Sequence, residues 1–190
     1  MSIRAFIGID FNQAVKKELN TFQKRFEKYA QKGRWKHIDN FHITLKFLGE
    51  ISVLKAEQID NVLKDLCRSK EPFNISFGDL GFFAGRNTIK ALWFGISEGV
   101  EQLESLYKEI DKSLITLGFP KEKRKFVPHI TIAQDVIFKC DFSIIKEAIG
   151  APDIGKIPVD RLYLFKSEQI ENKRVYTKIS EYELLGFKKL

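Results

Sequence analysis

The chain has 190 residues, 44% of them apolar and 30% charged, a composition that suits a folded domain with its own core and excludes a disordered or fibrous chain. The apolar run Ala91–Ile96 is far too short to cross a bilayer, and residues 5–9 after Arg4 are too short for a signal-peptide core. Only two cysteines, Cys67 and Cys140, speak against a disulfide framework and for the reducing cytoplasm, and a formal charge of +7 favours polyanionic partners.

Residues 4–10 (RAFIGID) are short, apolar and bounded by charge, which predicts a strand. Val15, Leu19, Phe22, Phe26 and Tyr29 then form one helical stripe from Asn12, a fitting N-cap, to about Ala30, with Gly33 as the stop. Residues 41–48 (FHITLKFL) read as a strand. A second helix follows from about Val53 to Cys67 with Ser52 as its cap. Residues 73–77 and 79–83 read as strand segments around Gly78, and 89–96 as another strand. A third helix runs from about Val100 to Leu117 and stops at Gly118 and Pro120. Residues 129–134 are a strand and 143–149 a short helix. The runs 157–166 and 174–184, separated by the polar stretch Ser167–Lys173, suggest a closing antiparallel pair.

A repeat organises these elements. Phe6-Ile-Gly-Ile recurs as Trp93-Phe-Gly-Ile, and His42-Ile-Thr-Leu recurs as His129-Ile-Thr-Ile, each 87 residues later. Strand, helix and His-x-Thr strand thus occur twice, which predicts two similar lobes packed as one unit over residues 1–190. Side chains two apart on a strand share a face at about 6.6 Å. His42 and Thr44 therefore share one face, and His129 and Thr131 another, with Ile43 and Ile130 turned to the core. If an approximate two-fold axis relates the lobes, two imidazoles and two hydroxyls line one cleft.

That set suits phosphodiester chemistry without a metal. One imidazole, with an ordinary pKa of about 6.5, activates water, and the other protonates the leaving oxygen. The hydroxyls donate to the non-bridging phosphate oxygens. A lone histidine on a strand is more often structural, and threonine is a good strand former in its own right. The chain has only three histidines, however, and two occupy equivalent places in the repeat. His37 has no repeat partner and is expected on a loop or the surface. Lys46, by alternation, is expected on the His42 face, as a candidate phosphate contact. The basic run Lys121, Lys123, Arg124 and Lys125 is read as either a solvated loop or a phosphate contact.

FHITLKFLGE (41–50) and FVPHITIAQD (126–135) resemble the paired His-x-Thr-x motifs of the two-histidine (2H) phosphoesterase superfamily. More narrowly, RAFIGID, GRWKHIDNFHITLKFLGE, ALWFGI, VPHITIA and VDRLYLFKSE together make the chain similar to the RNA 2′,3′-cyclic phosphodiesterases, also called 2′-5′ RNA ligase-like proteins. The resemblance implies an α+β fold, bilobal, with two pseudo-symmetric lobes whose antiparallel sheets line a central cleft and whose helices lie outside. It implies opening of a 2′,3′-cyclic phosphate at an RNA end, or of a cyclic nucleotide, to a 2′-phosphate, with no metal and no cofactor. By motif position it makes His42 the proton donor and His129 the proton acceptor, roles that the residues alone leave interchangeable. Thr44 and Thr131 would hold the phosphate. Gln134 stands where similar proteins often carry Arg.

Other classes fit less well. A zinc hydrolase lacks the ligand spacings it needs. A non-catalytic nucleotide- or RNA-binding module would use the same cleft, but does not need both histidines. A reversible RNA ligase would use the same acid–base pair in the other direction. Trp35 and Phe126 lie near the motifs yet are read as core rather than site residues. The expected state is a cytoplasmic monomer that binds RNA and no membrane.

Overall fold

The structure, a computed structural model, describes residues 2–187. In chain order the elements are β1 (Ser2–Asp10), α1 (Gln13–Glu27), β2 (Ala30–Trp35), β3 (His42–Ser52), α2 (Val53–Arg68), β4 (Phe73–Ala84) and β5 (Ile89–Glu98). They continue with α3 (Val100–Ile115), β6 (His129–Phe138), α4 (Phe142–Ile149), β7 (Ile157–Val159), β8 (Arg161–Ile170) and β9 (Lys173–Glu183). The strands form one curled antiparallel sheet in the order β7-β4-β5-β6-β3-β1-β8-β9, with β2 also paired to β6. No helix among the described residues is long and apolar enough to cross a membrane.

The helices start where their caps dictate. Asn12 Oδ1 accepts from Val15 N at 3.0 Å, and Ser52 Oγ accepts from Lys55 N at 3.1 Å. Each helix buries a single stripe: Val15, Leu19 and Phe26 on α1, Ile59, Leu63 and Leu66 on α2, and Leu103, Leu106, Ile110 and Leu114 on α3. These stripes and the inward faces of β1, β3, β5 and β6 make one continuous core.

Two expectations about the first half are corrected. The first helix ends at Glu27, and Ala30–Trp35 is a strand rather than the end of the helix. This stretch, AQKGRW, has no apolar alternation of its own. It becomes a strand because β6 offers it a free edge, pairing Ala30 with Phe138 and Trp35 with Ala133. The buried Gln23 of α1 seals the junction, donating from Nε2 to Lys36 O and Ile132 O, both at 2.8 Å. Gly78 also does not end a strand: β4 continues through it, although its register against β5 shifts between Phe77 and Leu80, so the two expected segments meet at an irregularity. The expected closing pair is present as β8 and β9, but the expected run 157–166 is broken: Ile157–Val159 is a separate strand, β7, paired with β4, and the β8–β9 pairing instead extends into the polar stretch, from Ile170 to Lys173.

The two halves meet where β3 and β6 touch through a single register pair, Ile43 with Ile130. Beyond it β6 turns its edge over to β2, so β3 and β6 diverge and open a cleft. On its other edge β3 lies close to β1. A Cβ on Gly8 would come within 2.6 Å of Ile43 O, so the repeated glycine is required here for backbone approach.

Candidate active site

The junction pair determines which motif residues are neighbours. Strands that are antiparallel through Ile43 and Ile130 set His42 beside Thr131 and Thr44 beside His129. Both isoleucines are fully buried, so these four side chains all lie on the opposite, cleft face. The histidines occupy diagonal corners of this square.

Both rings are held the same way. His42 Nδ1 lies 2.7 Å from Asn40 O, and His129 Nδ1 lies 2.6 Å from Val127 O. Carbonyl oxygens only accept, so each Nδ1 carries its hydrogen and each neutral ring keeps Nε2 as the free base. His42 Nε2 is 3.0 Å from Thr44 Oγ1. The two anchoring carbonyls belong to residues two before each histidine, again 87 apart in the chain.

The rings around the histidines repeat as well. Phe6 packs on His42 at 4.7 Å between centroids, and Trp93, its counterpart in the repeat, packs on His129 at 5.7 Å. An edge-on ring completes each pocket: Tyr176 against His42 at 5.0 Å and 85°, and Phe83 against His129 at 5.2 Å and 86°. These walls shield much of each ring from water, although both histidines remain only partly buried. Burial pushes His42 down to about 4, against the opposing pull of the Asn40 carbonyl and of Asp10. Burial also lowers His129, against the Val127 carbonyl. Asp10 sits opposite His42 on β1 and is itself held by Lys16 at 2.6 Å and Lys178 at 2.7 Å.

Of the other expected site residues, Lys46 is elsewhere. Gly8 pairs with Thr44 but Ile7 pairs with Lys46, so one extra residue on β3 bulges out and reverses the alternation. Lys46 turns into the protein, ion-paired with the buried Asp111 of α3 and donating to Pro120 O at 2.9 Å. Phe47 takes the cleft side in its place and is 69% exposed. His37 lies on the surface, as expected, and its Nδ1 accepts from Asp39 N at 3.4 Å. Gln134 accepts at Oε1 from Lys36 Nζ at 2.9 Å, which brings the lysine just after β2 to the position after the second motif. The run 121–125 lines a hollow against α3 with Tyr107 and Lys108, and Glu122 binds its Arg124. Phe126, stacked on Tyr107 at 4.3 Å, belongs to that hollow too.

Sequence reasoning missed Phe6, Trp93, Phe83, Tyr176 and Asp10 as the surroundings of the imidazoles. Phe6 and Trp93 were visible in the repeat. Phe83 and Tyr176 come from strands without a repeat signature. Among the described residues no group of three or more His, Cys, Asp or Glu side chains is placed to hold a metal ion.

A curled antiparallel sheet with external helices, carrying one His-x-Thr strand in each half on the cleft face, defines a two-histidine phosphoesterase fold. The family described as LigT like phosphoesterase matches residues 9–93 and 95–176, one match to each half, and the chain belongs to that family. It is 35% identical over 183 residues to the RNA 2′,3′-cyclic phosphodiesterase of Methanocaldococcus jannaschii, covering 95% of this chain and 100% of the relative. It is 28% identical over 187 residues to the protein of the same name from Methanothermobacter thermautotrophicus, covering 97% of this chain and 100% of the relative. Among solved structures, E. coli LigT complexed with 3′-AMP is similar with a TM-score of 0.81 at 23% identity, over 97% of this chain and 99% of that one.

Proposed function

We propose that the protein hydrolyses 2′,3′-cyclic phosphate ends of RNA to 2′-phosphates by acid–base catalysis between His42 and His129. The observation that carries this reading is the pair of imidazoles at diagonal corners of one cleft, each anchored through Nδ1. In-line displacement at phosphorus needs a base on the side of the entering water and an acid on the side of the leaving oxygen. Diagonal imidazoles supply those two sides. Water loses a proton to His129 Nε2 as its oxygen bonds to phosphorus. The P–O3′ bond breaks, and His42 Nε2–H protonates O3′. The product carries a 2′-phosphate and a free 3′-hydroxyl, and the two histidines have exchanged protonation states. Thr44 and Thr131, beside them, donate to the non-bridging oxygens.

His42 as acid requires a proton that burial disfavours in the free protein. The substrate monoanion supplies the missing counter-charge, and Asp10 already pulls in the same direction. His129 has no charged neighbour among the groups that shift it, which suits a base that starts neutral. The names of the relatives favour the same substrate. The test is turnover of an RNA ending in a 2′,3′-cyclic phosphate in the presence of EDTA, with the product identified by phosphorus NMR. A 2′-phosphate product is expected. A 3′-phosphate product, or no turnover, would refute the reading.

A further inference from the structure

A groove of about 980 Å³ opens behind the rings that flank His42. Phe6 and Tyr176, the rings that flank His42, form part of its wall, together with the exposed Phe47. Six lysine and arginine side chains line it against one carboxylate, Glu27. Arg34 among them is taken by Asp135. Arg4, Lys36 and Arg174 form no ion pair among the described residues. Lys36 feels this charge directly: burial lowers it, the charges of Arg34 and Arg174 lower it further, and Asp135 only partly opposes them. Burial raises the Tyr176 phenol, and the nearby charges of Arg174 and Arg4 oppose that shift. The groove is also fastened to the catalytic loop, because Asn40, whose carbonyl anchors His42, donates from Nδ2 to Arg174 O at 2.7 Å.

Concentrated positive charge with so little carboxylate to answer it is a site for a polyanion. An exposed aromatic beside it offers a face on which a base can stack. The volume exceeds what one nucleotide fills. We infer that this groove holds the single-stranded RNA leading to the reacting end, with Lys36 and Arg174 gripping backbone phosphates and Phe47 stacking a base. The inference rests on the reaction proposed above for its choice of polymer, and it extends the site from one cyclic nucleotide to a strand. Lys36 does so from the place beside Gln134, where the second motif itself offers no cation. The run 121–125 is not part of this groove, and within it Glu122 already binds Arg124.

The test uses the full chain with a labelled RNA hexamer ending in a 2′-phosphate, followed by fluorescence anisotropy across a salt series. Arg174→Gln and Lys36→Gln are each expected to raise Kd about tenfold at 0.1 M salt. Each should lower the slope of log K against log salt by about 0.7, the value for one single-strand phosphate contact. The double variant Lys121→Gln/Lys123→Gln should move Kd less than about twofold. In turnover, the ratio of kcat/KM for a hexamer with a cyclic end to that for a cyclic mononucleotide should fall about tenfold in the groove variants. An unchanged Kd in both groove variants, an unchanged ratio, or a larger effect from the 121–125 variant would overturn the inference. Groove-dependent binding without turnover of either substrate would sink the proposed reaction and leave the groove standing.

Discussion

Acidification should unfold this protein in part through His42. Its folded pKa is lowered from 6.5 to about 4 by burial among Phe6, Tyr176 and Phe165. The unfolded chain therefore takes up the proton first. The neutral ring costs nothing above pH 6.5, the penalty grows as pH falls from 6.5, and it levels off below about 4. At 1.36 kcal/mol per unit the full penalty is about 3 kcal/mol, and at pH 5 about 2 kcal/mol; the ring is partly reached by solvent, so both are upper values. The assay is a pair of denaturant melts, wild type and His42→Gln, at pH 7 and pH 5. Carboxylate titrations are common to both proteins and cancel in the difference. The wild type should lose up to about 2 kcal/mol more than the variant between the two pH values. An NMR titration of the imidazole should place His42 well below the ordinary histidine range. A ring titrating at or above 6.5, or a stability difference that does not vary with pH, would refute the argument that the aromatic walls desolvate this histidine.

Four further outcomes are expected. His42→Ala and His129→Ala should each reduce turnover by about 10²–10⁴-fold, while His37→Ala, on the surface, should change it little; near-wild-type rates in the first two would end the acid–base reading. The bell-shaped profile of kcat/KM should have its maximum below pH 6.5, because both rings are shifted down in the free protein, and a maximum above 7.5 would contradict that. Thr44→Ala and Thr131→Ala should each cost about 1–3 kcal/mol of transition-state stabilisation with milder effects for Ser, and unchanged kinetics would return both residues to a purely structural role. Asp111→Ala should destabilise by about 3–5 kcal/mol by leaving Lys46 buried and unpaired, and the double variant Lys46→Met/Asp111→Leu should recover most of it; a neutral single variant, read from chemical melts, would show that the pair is not closed to water.

Much of the site was legible because it is written in local periodicity. The alternation of a strand put His42 with Thr44 and His129 with Thr131, and the 87-residue repeat singled these out from His37. Helix stripes and caps are equally local, and α2 and α3 lie close to where the stripes put them. Lys46 shows where local reading fails. Its alternation is sound up to Thr44, and then one bulged residue reverses it, because the register of β3 is set by its pairing with β1 rather than by its own sequence.

The sequence by itself thus carried the strand–helix–strand repeat and singled out His42, Thr44, His129 and Thr131 as the candidate set. These depend on composition and spacing along one strand. Tertiary structure decided everything that depends on a second strand. It made a strand of residues 30–35 by offering them the edge of β6. It crossed the two motifs at Ile43 and Ile130, so that each histidine faces the other motif's threonine. It walled the rings with Phe83 and Tyr176, and the burial of the two rings lowers the proton affinity of both. It gathered Arg4, Lys36 and Arg174 from three strand ends into one groove. Pairing register and ring packing are properties of two segments brought together, and a one-dimensional pattern carries only what a segment specifies alone.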